Sequence, residues 1–210
     1  MLNIFARAPV SRALQPVGRR LARAGVSPDA VTLVGTAGSV LGAVFLLGTG
    51  HLFVGALVIT FFVLFDMLDG ALARARGTTS RFGAVLDSSC DRVADGAILG
   101  ALAWWFAGRG DSRSLLLASL LCLVLGSLIS YIKARAEGAG LRCDVGIAER
   151  TERLIIVLVG TGLAGLGVPY VLPAALWLLV ALSTVTVLQR GLEVRRQASL
   201  ATVATTPPPR

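Results

Sequence analysis

The stretch DMLDGALARARGTTSRFGAVLDSSCD, residues 66–91, joins two strongly apolar segments and carries charges that any fold of this chain must accommodate. Its four aspartates stand at the ends of those segments: Asp66, Asp69, Asp87 and Asp91. A charged side chain at membrane depth costs roughly 2.5–3.5 kcal/mol even on the mildest insertion scale. Four carboxylates so close to two membrane-spanning segments therefore need a partner.

The spacing of these aspartates predicts two helical faces. On the first helix, residues at i, i+3, i+4, i+7 and i+8 share a face: Asp66, Asp69, Gly70, Ala73 and Arg74. On the second helix, Gly83, Asp87 and Asp91 recur at every fourth residue and share another face. If the two helices pack antiparallel through their small residues, the four carboxylates converge.

Converging carboxylates predict a metal site. Hard oxygen ligands of this kind suit Mg²⁺, Mn²⁺ or Ca²⁺ rather than zinc. Two divalent cations would neutralise four aspartates. Such pairs, about 3.5–4 Å apart, commonly serve phosphoryl transfer.

The same residues carry a resemblance to a known family. The pattern D-x2-D-G-x2-A-R-x8-G-x3-D-x3-D, from Asp66 to Asp91, resembles the full signature of the CDP-alcohol phosphotransferase family. The resemblance implies transfer of a phosphatidyl-type group from CDP-diacylglycerol to an alcohol, with release of CMP. It also implies that Asp66, Asp69, Asp87 and Asp91 hold two Mg²⁺ or Mn²⁺ ions. Asp91 is further implied to act as the general base.

The resemblance implies a binding site for the donor as well. Gly70 would let the donor approach the backbone, and Arg74 would pair with its diphosphate. An upstream element resembles the nucleotide side of the family's site: Asp29, Ala30, Val31 and Thr32. A helix N-terminus there offers free N–H groups to phosphate, although capping by Ser27 and Asp29 explains the same residues. Ser80 could bind a phosphate or merely cap a helix.

Composition and periodicity predict an all-α integral membrane protein. The chain has 210 residues, of which 55% are apolar, and this is membrane composition. Six apolar segments approach the ~20 residues that a span requires, at roughly 31–48, 52–72, 84–107, 114–134, 153–168 and 171–189. We therefore predict one domain, 1–196, that forms a six-transmembrane-helix bundle. Residues 1–24 form an amphipathic helix on the membrane surface, and 197–210 form a flexible tail.

The distribution of basic residues predicts orientation and partners. The net charge is +8, but the basic residues lie between apolar segments, which indicates anionic lipid and argues against nucleic acid. One set of loops holds nearly all of them, and the opposite loops hold Arg109 and Arg113. Both termini and the aspartates should therefore face the cytoplasm, from a bacterial plasma membrane.

Basic residues at three span ends predict a site for an acceptor that bears a phosphate. The candidate phosphate ligands are Lys133, Arg153, Arg195 and Arg196. Snorkelling to the interface is the alternative explanation for such residues. The chain resembles the branch of the family that uses inositol phosphate, although glycerol phosphate would satisfy the same charges.

Three further questions stay open at this point. Gly38 and Gly42 fit a small-xxx-small pattern, which favours close helix packing either within the chain or in a homodimer. Asp95 continues the face of Asp87 and Asp91, and either supports the site or pairs with a nearby arginine. A cation transporter is the alternative from another class, but it would spread carboxylates along a pathway, often in repeated halves.

Overall fold

The structure is a computed structural model that describes the backbone of residues 25–76 and 80–205, and side chains throughout except at 69–71, 74–76 and 201–205. Over these residues the chain is all-helical, with six helices and no strand. The predicted all-α class is thus confirmed for this part of the chain. The predicted surface helix at 1–24 lies outside the described residues.

Capping serines define where several of the helices begin. The six helices are α1 (Pro28–Gly42, continued by a π-helical turn, Ala43–Leu47), α2 (Leu52–Arg76), α3 (Arg81–Ala107), α4 (Arg113–Gly138), α5 (Arg150–Gly165) and α6 (Val171–Thr205). The Ser27 Oγ accepts a hydrogen bond from Ala30 N at 3.2 Å, and the Ser80 Oγ accepts one from Gly83 N at 2.8 Å. Each serine satisfies an N–H group that the first helical turn leaves free.

In the part of the chain that the structure describes, three helical stretches are long and apolar enough to cross a membrane. They are Pro28–Leu47, Arg113–Gly138 and Val171–Leu200, and Leu52–Leu68 is a shorter apolar helix. α3 carries Asp87, Asp91 and Asp95 in its first 15 residues, and α5 has only 16 residues. Three of the six predicted spans therefore meet this criterion within the described residues. The other three are interrupted by charge or are short, because the site is built into them.

The helices form two groups, α1–α3 and α4–α6, which contact each other through α2 with α5 and α3 with α4. α2 contacts α1 and α5, α3 contacts α1 and α4, and α6 contacts α4 and α5. Gly38 lies directly under an aromatic ring, because a Cβ added there would be 2.3 Å from Phe62 Cδ1. A Cβ at Gly42 would be 3.2 Å from Ile59 and Val58 atoms. The predicted small-residue pair thus packs α1 on α2 within the chain.

The loop between α4 and α5 is fastened along α6. Ala148 N donates a hydrogen bond to Thr186 Oγ1 at 3.0 Å, and Arg190 Nε donates to Val145 O at 2.9 Å. The second nitrogen of the same guanidinium donates to Ile129 O of α4 at 2.6 Å. One buried arginine therefore ties the loop to two helices.

The far end of α6 is held by the same loop. Gln197 Nε2 donates to Arg142 O at 2.6 Å, and Gln197 Oε1 accepts from Arg142 N at 3.0 Å. The helix continues beyond these two bonds to Thr205. The predicted start of a flexible tail at Gln197 therefore falls inside α6.

Candidate active site

Three of the predicted metal ligands converge. Asp66 of α2 and Asp87 and Asp91 of α3 are half-buried, and one carboxylate oxygen from each lies within 4.8 Å of the others. This all-oxygen donor set fits a hard divalent cation. The side chain of Asp69, the fourth predicted ligand, lies outside the described residues.

Glycines allow the helices to approach at this centre. A Cβ added to Gly35 of α1 would lie 3.0 Å from Asp66 Cβ and 3.2 Å from Asp66 Oδ1. A Cβ at Gly83 of α3 would lie 3.5 Å from Asp29 Oδ1. Gly35 therefore brings α1 against the carboxylate centre, and Gly83 brings the first turn of α3 close to the first turn of α1.

The donor residues predicted from the sequence fall into three groups. Asp29 and Ser80 come together at the starts of α1 and α3, next to Gly83. Val31 and Thr32 are buried, and Val31 packs with apolar residues of α2, whereas Ala30 is exposed. The side chain of Arg74 and the surroundings of Gly70 lie outside the described residues.

An ion-pair network extends from the carboxylate centre. Arg150 Nη1 lies 2.7 Å from Asp91 Oδ1, and Arg150 Nε lies 3.2 Å from Asp95 Oδ1. The other oxygen of Asp95 lies 3.3 Å from Arg92 Nη2 and 3.6 Å from Arg153 Nη2. One carboxylate, Asp95, therefore faces three guanidinium groups.

A polar cavity of about 680 Å³ opens beside Asp91. Five basic side chains line it: Arg92, Lys133, Arg150, Arg153 and Arg190. Its rim also carries an ion pair, since Lys133 Nζ lies 2.8 Å from Asp144 Oδ1. The hydrogen bond from Lys133 holds the pKa of the exposed Asp144 carboxyl below its usual range. Three carboxylates, those of Asp91, Glu137 and Glu149, line the cavity as well. The basic side chains outnumber them, so the cavity suits an anionic ligand.

The cavity includes two of the four predicted acceptor residues. Lys133 and Arg153 line it, but Arg195 and Arg196 do not. Arg196 instead forms a surface pair with Glu193, with nitrogen–oxygen distances of 2.9 and 2.7 Å. From α6 the cavity receives Arg190, which the sequence analysis overlooked. The sequence feature that could have identified Arg190 is its position as a basic residue before the end of an apolar helix.

A second, largely apolar cavity of about 450 Å³ lies between α2 and α5. It runs along side chains such as Phe53, Leu57 and Ile155, and it reaches Asp66 and Arg150 at its polar end. An elongated apolar chain with an anionic head would match both ends of this cavity.

Three aspartates from two helices thus lie beside both an apolar cavity and a cation-lined cavity. This arrangement is that of a transferase whose substrates are phosphorylated and linked to lipid. Residues 25–188 match the CDP-alcohol phosphatidyltransferase family, and the chain belongs to that family. The resemblance carried by residues 66–91 is thereby confirmed.

Similar proteins within this family include phosphatidylinositol phosphate synthases. The chain is 54% identical over 189 residues to the phosphatidylinositol phosphate synthase of Mycobacterium marinum, covering 89% of this chain and 81% of that protein. It is 52% identical to the Mycobacterium tuberculosis phosphatidylinositol phosphate synthase in a crystal structure with CDP-DAG bound, with a TM-score of 0.84, covering 87% of this chain and 94% of that one. A crystal structure of the same enzyme with manganese and citrate has a TM-score of 0.83 at 52% identity, covering 86% and 88%.

Proposed function

We propose that this protein transfers the phosphatidyl group of CDP-diacylglycerol to inositol phosphate, giving phosphatidylinositol phosphate and CMP. The observation that carries the proposal is the cavity beside Asp91, which presents five basic side chains. An acceptor that already bears a phosphate needs such charge-assisted hydrogen bonds, whereas a neutral alcohol does not. The phosphatidylinositol phosphate synthases among the relatives support the same acceptor. Glycerol phosphate is the second candidate, because it satisfies the same charges.

The proposed cofactors are two Mg²⁺ or Mn²⁺ ions held by Asp66, Asp69, Asp87 and Asp91. The three described carboxylates support this assignment by their mutual distance of at most 4.8 Å. The manganese in the related M. tuberculosis structure supports it independently. When bound, such ions stabilise the charge that develops on phosphoryl oxygens.

Asp91 is the proposed general base. It belongs to the carboxylate centre and also lines the acceptor cavity, so it can reach a hydroxyl of a molecule held there. Its carboxylate accepts the hydroxyl proton as the acceptor oxygen bonds to the phosphorus of the phosphatidyl group. The bond from that phosphorus to the bridging oxygen breaks, and CMP departs with the electron pair.

The proposed donor site borders the carboxylates, and its apolar cavity meets the acceptor cavity at Arg150 and Thr151. Its residues are those of the sequence analysis: Asp29, Ala30, Val31, Thr32, Gly70, Arg74 and Ser80. The meeting of Asp29 with Ser80 supports a nucleotide or diphosphate site between α1 and α3. The apolar cavity between α2 and α5 supports an acyl-chain site, because it ends at Asp66.

The proposed setting is a bacterial plasma membrane that all six apolar segments cross, with both termini and the site on the cytoplasmic side. Residues 1–196 form the membrane domain, with 1–24 on its surface. Exposed apolar side chains such as Phe45, Phe61 and Leu188 support contact of the outer helix faces with lipid. A homodimer is proposed from the family resemblance alone, since Gly38 and Gly42 are occupied within the chain.

A radiolabelled assay tests the reaction and the acceptor together. Purified protein receives labelled CDP-diacylglycerol, Mg²⁺ or Mn²⁺, and one of inositol phosphate, free inositol or glycerol phosphate. We expect CMP release and a phosphorylated lipid product with inositol phosphate. Preference for glycerol phosphate would keep the cavity and change the product, and preference for free inositol would refute the phosphate site. Absence of CMP release with any acceptor would refute the transferase assignment.

A further inference from the structure

Asp95 occupies the centre of the charge network although it lies outside the family signature. Its two carboxylate oxygens are shared among three arginines from two helices, at 3.2, 3.3 and 3.6 Å. Two of these arginines, Arg150 and Arg153, begin α5 and line the acceptor cavity. The third, Arg92, also donates to Ser130 of α4.

We propose that Asp95 is a positioning residue that sets the geometry of the acceptor cavity through Arg150 and Arg153. This inference rests on the proposed function, because it assigns these arginines to an acceptor phosphate. Asp95 itself contacts no substrate; it acts by holding the guanidinium groups that do.

Electrostatics explains why the arginines need this carboxylate. Three guanidinium groups share a small, partly buried volume, and like charges repel more strongly where water is scarce. Asp95 is their common counter-ion, and its side chain is 18% exposed. Arg150 also pairs with Asp91, a member of the carboxylate centre, at 2.7 Å. Without Asp95, Arg150 would be drawn fully towards Asp91, and Arg153 would lose its ion pair.

The backbone supports a positioning role for the same carboxylate. Arg153 is buried and donates from Nη1 to Ala148 O at 3.1 Å, which leaves Nη2 facing Asp95 at 3.6 Å. Asp95 thereby fixes the rotation of the guanidinium about its bond to Ala148 O. An acceptor phosphate then meets a preformed pair of cations, which lowers the cost of binding.

The test compares Asp95→Asn, which removes the charge at nearly constant volume, with Asp95→Glu, which keeps it. The control is Glu193→Gln, which removes the carboxylate charge that pairs with Arg196 outside the cavity. We expect D95N to raise the KM for inositol phosphate at least about tenfold, with the KM for CDP-diacylglycerol within about twofold. D95E should recover part of the loss, and E193Q should resemble the wild type. Because Asp95 acts partly through Arg153, the D95N effect should shrink in an Arg153→Ala background.

A binding measurement separates this inference from the proposed function. Inorganic phosphate and inositol phosphate should raise the apparent Tm of the wild type, and D95N should lose most of that rise. If the wild type releases no CMP, the proposed function fails, and this comparison still tests Asp95. An unchanged acceptor KM or unchanged ligand-induced Tm rise in folded D95N would overturn the inference. So would an undiminished effect in the R153A background, or a D95N protein that cannot fold, because Asp95 would then be structural.

Discussion

Gly35→Ala probes the carboxylate centre without touching a charged residue. The added Cβ would lie 3.0 Å from Asp66 Cβ, 3.2 Å from its Oδ1 and 3.3 Å from its Cα. Carbon atoms in contact prefer about 3.5–4.0 Å, so α1 or Asp66 must move by about 0.5 Å. A misplacement of about 1 Å at a catalytic site can cost about 10²-fold in rate. Half of that displacement predicts a loss of roughly tenfold.

The expected signature of G35A is therefore a roughly tenfold lower kcat together with a higher Mg²⁺ or Mn²⁺ concentration for half-maximal activity. The acceptor KM should stay within about twofold, because the cation-lined cavity lies beyond Asp91. The assay is CMP release titrated with metal after treatment with EDTA. Gly100→Ala is the matched control, since a Cβ there meets nothing within 4 Å. Wild-type metal dependence in G35A would show that Asp66 is not held by this contact, and our reasoning would be refuted.

Further predictions address the metal, the acceptor and the packing. Asp87→Asn should lower turnover at least ~10²-fold, measured as CMP release. EDTA should abolish the activity of the wild type, and Mn²⁺ should restore it. Full activity without metal would contradict the metal centre. Lys133→Ala should raise the KM for inositol phosphate about tenfold or more, whereas Arg196→Ala should leave this KM unchanged. Equal effects of the two substitutions would show that the acceptor responds to overall positive charge and not to a specific phosphate site. Gly38→Ala should destabilise the fold by about 1–3 kcal/mol through overpacking against Phe62, seen as a lower apparent Tm, and an unchanged Tm would show that the ring moves freely.

The aspartate centre was predictable because helical periodicity alone places its members. Asp87 and Asp91 are one turn apart, so they face the same way in any α-helix. Asp66 joins them because α2 and α3 both pack against α1, whereas the sequence predicted that α2 and α3 pack directly on each other. The all-helical class followed in the same way, from the length and apolar character of the segments.

The acceptor cavity was only partly predictable because it depends on tertiary placement. Sequence order alone drew attention to Arg195 and Arg196 at the end of the last span. The helix continues past them, and Arg190 reaches the cavity because its guanidinium is fixed by carbonyls of α4 and of the α4–α5 loop. The role of Gly35 was equally hidden, since the residue that it accommodates lies on another helix.

The fastening of the α4–α5 loop to α6 has a consequence for biosynthesis. The loop takes its bonds from Thr186 and Arg190, which are translated after every aspartate of the centre. A nascent chain that lacks its last helix therefore holds the complete carboxylate set, but its α4–α5 loop lacks the bonds to Thr186, Arg190 and Gln197. Activity should appear late and abruptly, when α6 joins the bundle. The order of synthesis therefore completes the cation-lined cavity last, because that cavity needs Arg190 of α6.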